Sequence, residues 1–257
     1  MKKIYITFSG SAYDATTEKI VQHAPRFGAD EVLVYDDVWL TGTDFHRHNQ
    51  WLWQHPGWNG RKLGFGWFAW KPFVILDALD RLQEGDIVLY TDADTHPIAD
   101  FSMLYDECAR IGGAMLFNAY GCDNRYYCKR DAFVVMGQDY PPYTDHRTAG
   151  VARFMLFRKG PWRPRQFLYE WLTYAVNPKA TTFDASTIAP ELPGFGEHRT
   201  EQAIMTLLAY KYDYKLYREA CQFGSAHPED KELYGQLFEQ VGGTGPRTMA
   251  GSRFRNV

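Results

Sequence analysis

The chain opens with two short strand patterns separated by one helix pattern, and that order restricts the fold more than any other feature. Ile4-Tyr5-Ile6-Thr7-Phe8 is apolar or β-favouring throughout and stops at Ser9-Gly10-Ser11. Residues 16–27 then carry Ile20, Val21, Ala24 and Phe27 on one helical face, and Gly28 ends the pattern. Residues 31–35 read as a second strand. Strand, helix and strand joined by short loops imply a right-handed crossover between parallel neighbours. The expectation is an α/β domain: a mixed, mostly parallel central sheet flanked by helices, Rossmann-like.

The rest of the chain continues the alternation. Pro72 occupies a favoured first helical position, and Phe73, Leu76, Leu79 and Leu82 follow as a stripe. A strand is expected at 86–91, a helix at 101–110 with Asp100 as its cap, and a strand at 114–117. Further on come a short helix at 131–136, a strand at 153–157, helices at 167–174 and 200–210, and a last strand at 213–217. Residues 39–66 have no clean period and read as an irregular aromatic insertion. Residues 177–197 hold three Pro and two Gly. They read as a long loop, either a lid over a substrate or a mobile surface segment. No composition break marks a second domain, so 1–257 is read as one unit ending in a flexible tail over 231–257.

Composition excludes several classes. A net charge of -3 argues against a broad nucleic-acid surface. No run of 18 apolar residues is present, so no membrane span is expected. Met1-Lys2-Lys3 leads straight into a strand pattern, which does not resemble a signal peptide. Cys108, Cys122, Cys128 and Cys221 have no paired zinc spacing and read as free thiols of a cytoplasmic protein. Aromatic residues make up 16% and concentrate in 39–73, 120–143 and 154–174. Thick core packing is one explanation; stacking on sugars or bases is the other.

The chemistry-bearing feature is the strand Ile87-Val88-Leu89-Tyr90-Thr91, which leads directly into Asp92-Ala93-Asp94. An Asp-x-Asp pair alone is weak evidence. Its place at the C-terminal end of an apolar strand matters more, because open α/β sheets bind ligands at that edge. Two carboxylates there suit a divalent cation that also carries a phosphate. The plain alternative is an Asp-rich turn before the next helix.

The segments Gly64-Phe65-Gly66-Trp67-Phe68-Ala69-Trp70-Lys71-Pro72 and Gly85-Asp86 through Asp94 resemble a group of bacterial and phage glycosyltransferases with the GT-A fold. Thr148-Ala149-Gly150-Val151 and His198-Arg199-Thr200-Glu201-Gln202 are similar to segments of retaining transferases of the glycogenin and LgtC type. Thr148 stands where those families have Asn, and Glu201 where they have Asp. The resemblance implies a UDP-sugar donor, Mn²⁺ or Mg²⁺, and a saccharide or other hydroxyl acceptor. It implies a nucleotide-binding half over 1–117 and a half for donor sugar and acceptor over 118–230. It also implies Asp92, Asp94 and His227 as metal ligands, with His96 competing for the third place.

By the same resemblance Thr7, Phe8 and Tyr13 hold base and ribose, and Lys71 touches the diphosphate or donor sugar. Ala149 and Gly150 line the donor site, and Glu201 or Gln202 steadies charge beneath the sugar. Lys71 as a solvated charge, and Glu201 as a simple partner of a helix dipole, are the plain alternatives. An inverting enzyme would instead need a carboxylate base, for which Asp145, Asp184 and Glu201 are candidates. His46, His48 and His55 have no standard metal spacing and read as an acceptor-side loop. Lys129-Arg130-Asp131 reads as a solvated helix start, with contact to an acceptor or a phosphate as the alternative. A metal-dependent nucleotidyltransferase is a second reading, but Ser9-Gly10-Ser11-Ala12-Tyr13 lacks the Lys or Arg such a loop carries. A non-catalytic carbohydrate-binding protein is a third.

Overall fold

The computed structural model describes residues 1–10, 14–55, 65–225 and 234–241. The first half contains β1 (Lys3–Phe8), α1 (Asp14–His23), β2 (Glu31–Tyr35), α2 (Asp37–Thr41), α3 (Asp44–His48), α4 (Trp51–Gln54), α5 (Lys71–Asp80), β3 (Ile87–Asp92), β4 (Thr95–Pro97), α6 (Ser102–Ile111) and β5 (Ala114–Asp123). There follow α7 (Asn124–Tyr127), α8 (Arg130–Val135), β6 (Thr148–Arg158), α9 (Trp162–Ala175), α10 (Pro178–Thr181), α11 (Thr200–Lys211), β7 (Leu216–Tyr217), α12 (Gln222–Ser225) and β8 (Phe238–Gln240).

Among the described residues a six-stranded sheet runs β2-β1-β3-β6-β5-β7. β6 is antiparallel to both neighbours, and the other pairs are parallel. This is the mixed, mostly parallel sheet that the opening strand-helix-strand order implies. Each face carries its own core. Ile4, Ile6, Val88 and Tyr90 pack toward α5, α9 and α11, while Tyr5, Ile87 and Leu89 pack toward α1 and α6. Ile87 to Tyr90 are therefore buried from both sides, so β3 reads as a continuous apolar run rather than an alternation.

Several boundaries differ from expectation. The first helix ends at His23, and Ala24–Phe27 tightens to a 3₁₀ turn containing Pro25. β5 and β6 are longer than the patterns over 114–117 and 153–157, because their pairing shifts register between Leu116 and Phe117 and again between Asn118 and Asp123, and the alternation is lost there. The insertion over 39–66 contains short capped helices: Asp36 accepts from the Trp39 amide and Thr43 from the His46 amide. Each is too short to show a period.

Two larger corrections concern the second half. Within the expected tail, Phe238–Gln240 forms β8 and pairs antiparallel with β4, and Phe238 is fully buried. The loop over 177–197 is anchored rather than free. The Lys129 ammonium donates to the Thr182 carbonyl at 2.7 Å, the Arg130 amide to Glu191 at 2.7 Å, and Asp131 accepts the Ile188 amide at 2.8 Å. Lys129 is thus buried, not a solvated helix start, and burial pulls its pKa down. Among the described residues no helix is long and apolar enough to cross a membrane. All four cysteines are free thiols.

Candidate active site

The ends of β1 and β3 lie side by side, with Phe8 opposite Asp92. Strand alternation puts Phe8, Tyr90 and Asp92 on the face covered by α5. The Trp70 ring stacks on Phe8 with centroids 3.9 Å apart, which seats the first turn of α5 over the strand ends. The chain reaches that position through a left-handed turn. Gly66, Trp67 and Phe68 have φ of 56°, 58° and 56°. A Cβ on Gly66 would stand 2.7 Å from the Trp53 ring, so only glycine fits. The same conformation costs Trp67 and Phe68 about 1–3 kcal/mol each. Burial of Trp67 against His55 and Phe183 offsets that strain. Phe68 turns its ring toward the Lys71 ammonium, 4.9 Å from its centroid.

Lys71 is the hub of the site. Its side chain is 4% exposed, and Nζ lies 2.9 Å from Asp92 Oδ1 and 3.0 Å from Glu201 Oε1. It also donates to the Ala152 carbonyl at 3.3 Å. Three acceptors match the three ammonium protons, so each has a protein partner. Burial works to lower the Lys71 pKa, but Asp92 and Glu201 outweigh it and the pKa is raised. The ammonium stays charged at any working pH. Lys71 is therefore not a solvated charge.

Asp92 also accepts from the Tyr90 hydroxyl at 2.7 Å. Burial, then the charge of Asp92, holds that phenol well above its ordinary pKa, so it remains a donor. Glu201 sits in the first turn of α11, is buried, and accepts from the Thr200 hydroxyl. Gln202 beside it is only partly buried. Helix α11 approaches β6 closely because position 150 is glycine. The Gly150 amide donates to Thr206 Oγ1 at 2.9 Å, and a Cβ there would lie 2.9 Å from the Met205 methyl. Ala149 is buried on the opposite core face.

Asp94 is held from the other side. Its Oδ1 accepts from Thr95 at 2.8 Å and its Oδ2 from the Gln240 amide at 2.7 Å. Gln240 in turn accepts from Arg153 at 2.6 Å, and Arg153 pairs with Glu219 at 2.7 Å.

Lys71, Asp92 and Glu201 thus come together, with Phe8 at the neighbouring strand end and Gly150 and Gln202 on the adjoining strand and helix. Thr7 is buried at the end of β1, and its hydroxyl has no partner among the described residues. Tyr13 and His227 lie outside the described residues. His96 is buried beside His23, 3.6 Å from Glu239. His46 packs on Trp53, and His55 pairs with Asp184 at 3.1 Å. Among the described residues no group of three or more His, Cys, Asp or Glu is arranged to hold a metal. Sequence reasoning missed Tyr90, although it precedes Asp92 by two positions and strand period places both on one face. It also missed Arg153, Glu219 and Gln240, which meet only through the tertiary fold.

No family model matches the chain, and no curated protein matches it. Among solved structures, that of the bifunctional glycosyltransferase WbbM in its apo state is similar with a TM-score of 0.55 at 10% identity. The match covers 96% of this chain and 46% of that one. The chain has the fold of the matched part of this structure and spans about half its length, and its mixed sheet matches the GT-A expectation. Mouse xyloside xylosyltransferase 1, apo form, is similar with a TM-score of 0.48 at 10% identity, covering 95% of this chain and 99% of that one. A glycosyltransferase involved in glycosylation of the major capsid of PBCV-1 gives 0.44 at 11% identity, covering 96% and 95%.

Proposed function

We propose that the chain is a metal-dependent glycosyltransferase that moves a sugar from a UDP-sugar to a hydroxyl acceptor. The observation that supports this most is the Lys71-Asp92-Glu201 cluster beside Asp94, at the ligand-binding edge of a glycosyltransferase fold. The charge balance fits a cation. Lys71 pairs with Asp92 and Glu201, Arg153 pairs with Glu219, and Asp94 is joined to Arg153 only through Gln240, so these two cations meet four carboxylates and leave two negative charges over. The donors are hard oxygens, as Mn²⁺ and Mg²⁺ prefer. Each Asp94 oxygen accepts one hydrogen bond and keeps a lone pair for an ion. Asp92 remains 30% exposed. Asp92 and Asp94 would hold the metal, with His227 as the proposed third ligand.

A bound divalent cation would offset the charge that builds on the departing diphosphate. Lys71 has no proton left for a phosphate, so its part is to hold Asp92 and Glu201 in register. Arg153, 17% exposed, is the cation better placed to meet one. Base and ribose rest at the end of β1, where Trp70 braces Phe8 and the Thr7 hydroxyl has no partner among the described residues; Tyr13 joins them in this proposal. Gly150 acts by letting α11, whose first turn carries Glu201 and Gln202, approach the sheet, while Ala149 faces the opposite core.

The proposed outcome is retention. Glu201 is committed to Lys71 and is not a free base. Gln202, partly exposed in the same turn, is the polar group proposed to steady the oxocarbenium-like charge, while the leaving phosphate takes the acceptor proton. The test is release of UDP from UDP-sugars, with Mn²⁺ and with chelator. A carbohydrate-binding protein would release none. A nucleotidyltransferase would release pyrophosphate from a nucleoside triphosphate instead.

A further inference from the structure

We infer that Gln240 is a positioning residue for Asp94, which makes strand β8 part of the nucleotide-sugar site. This rests on metal binding at Asp94 as proposed above. The amide of Gln240 lies between two groups of opposite hydrogen-bonding character. The Asp94 carboxylate only accepts, and the Arg153 guanidinium only donates. One amide orientation satisfies both: Nε2 toward Asp94 at 2.7 Å and Oε1 toward Arg153 at 2.6 Å. The reverse orientation would set oxygen against carboxylate and N–H against guanidinium. Glu219 fixes Arg153 at 2.7 Å, so the amide is locked from its far side.

The main chain is held as firmly. Gln222 brackets Gln240, accepting from its amide at 3.0 Å and donating to its carbonyl at 2.8 Å. The Val241 amide donates to the Asp94 carbonyl at 2.8 Å. Asp94 lies just past the end of β3, in a turn that would leave its carboxylate free to rotate. Thr95 restrains one oxygen and Gln240 the other. Removing the Gln240 amide leaves Oδ2 without that donor and frees the carboxylate to turn from the orientation a cation needs. Outer-shell partners of this kind are worth about 10- to 100-fold in metal affinity.

The experiment is Mn²⁺ titration of the full-length protein, with free ion read by electron paramagnetic resonance. Wild type is compared with Asp94→Ala, Gln240→Ala and Gln240→Met. Methionine keeps the length and packing of glutamine but cannot donate, so it separates hydrogen bonding from volume. Circular dichroism checks the fold, and either Gln240 variant suffices if the other does not fold. Asp94→Ala should abolish binding, and both Gln240 variants should weaken it about 10-fold. In UDP release the Gln240 variants should raise the KM for Mn²⁺, with kcat recovered at saturating ion. If Asp94→Ala abolishes binding but Gln240→Met binds Mn²⁺ as wild type does, the positioning role is wrong while the metal site stands. If Asp94→Ala itself binds as wild type, the metal site is wrong and the role of Gln240 falls with it.

Discussion

The Lys71 ammonium stands 3.0 Å from the Glu201 carboxylate, joining the first turn of α5 to the first turn of α11 in the protein interior. Asp92 completes the contact at 2.9 Å. One buried cation thus fixes the ends of two helices and one strand, and it links the geometry of the candidate site to stability. Lys71→Met should leave two carboxylates without their partner. Removing one member of a buried pair typically costs about 3–5 kcal/mol. Urea unfolding should show a loss of that size, together with loss of activity. A midpoint within error of wild type would show that the cluster does not hold the fold.

Gly150 tests the approach of α11 to the sheet. Gly150→Val adds volume 2.9 Å from the Met205 methyl and 3.3 Å from Thr206 Oγ1. Overpacking of this sort costs about 1–3 kcal/mol. Because the displaced helix carries Glu201 and Gln202, kcat should fall as well. Gly150→Ala should be milder, since the Met205 side chain is flexible. Equal stability for wild type and the Val variant would mean that the helix has room to move.

His198 carries a pH prediction. Its Nδ1 accepts from the Lys129 amide at 3.2 Å, and Nε2 donates to the Ala180 carbonyl at 2.7 Å, which requires the neutral ring. Burial, then the nearby Lys129 charge, lowers its pKa to about 3. The unfolded chain has the ordinary value of about 6.5. Between these values the unfolded state binds the extra proton, so stability rises with pH across that window and is lost on acidification. His198→Gln should flatten this slope. The check is the urea midpoint at pH 7 and pH 4.5 for both proteins. Parallel losses in the two would remove His198 as a cause.

Gln202 tests the stereochemical proposal. Gln202→Ala should lower kcat more than it raises KM, because the contact strengthens in the transition state. NMR of the first-formed product reports the anomeric configuration directly. An inverted product would overturn retention and redirect attention to Asp145 or Asp184 as base.

How much of this was legible depended on whether the signal was local. β3 and its Asp pair could be read because a strand buried on both faces is a continuous apolar run that stops where the carboxylates begin. Helix α11 could be read from Ala203, Ile204, Leu207 and Leu208. Lys71 was found by resemblance, but its ion pairs were not, because Glu201 reaches it only after the helices pack on the sheet. β8 was missed for the same reason. Phe238-Glu239-Gln240 has no strand pattern of its own and is held by β4 and the core around Phe101 and Phe154. Lys129 looked like a surface residue because the backbone carbonyls that accept its protons, at Thr182 and Asp184, carry no sequence signal.

The most direct test of the proposed function is UDP release from a panel of UDP-sugars, measured with Mn²⁺, with chelator, and in Asp94→Ala. At least one donor should be turned over with Mn²⁺. Chelation should abolish the signal, and Asp94→Ala should lower it by about two orders of magnitude or more, because the diphosphate charge is left uncompensated. Turnover that persists unchanged in chelator and in a folded Asp94→Ala protein would contradict the metal site, and no turnover of any UDP-sugar would contradict the proposed donor.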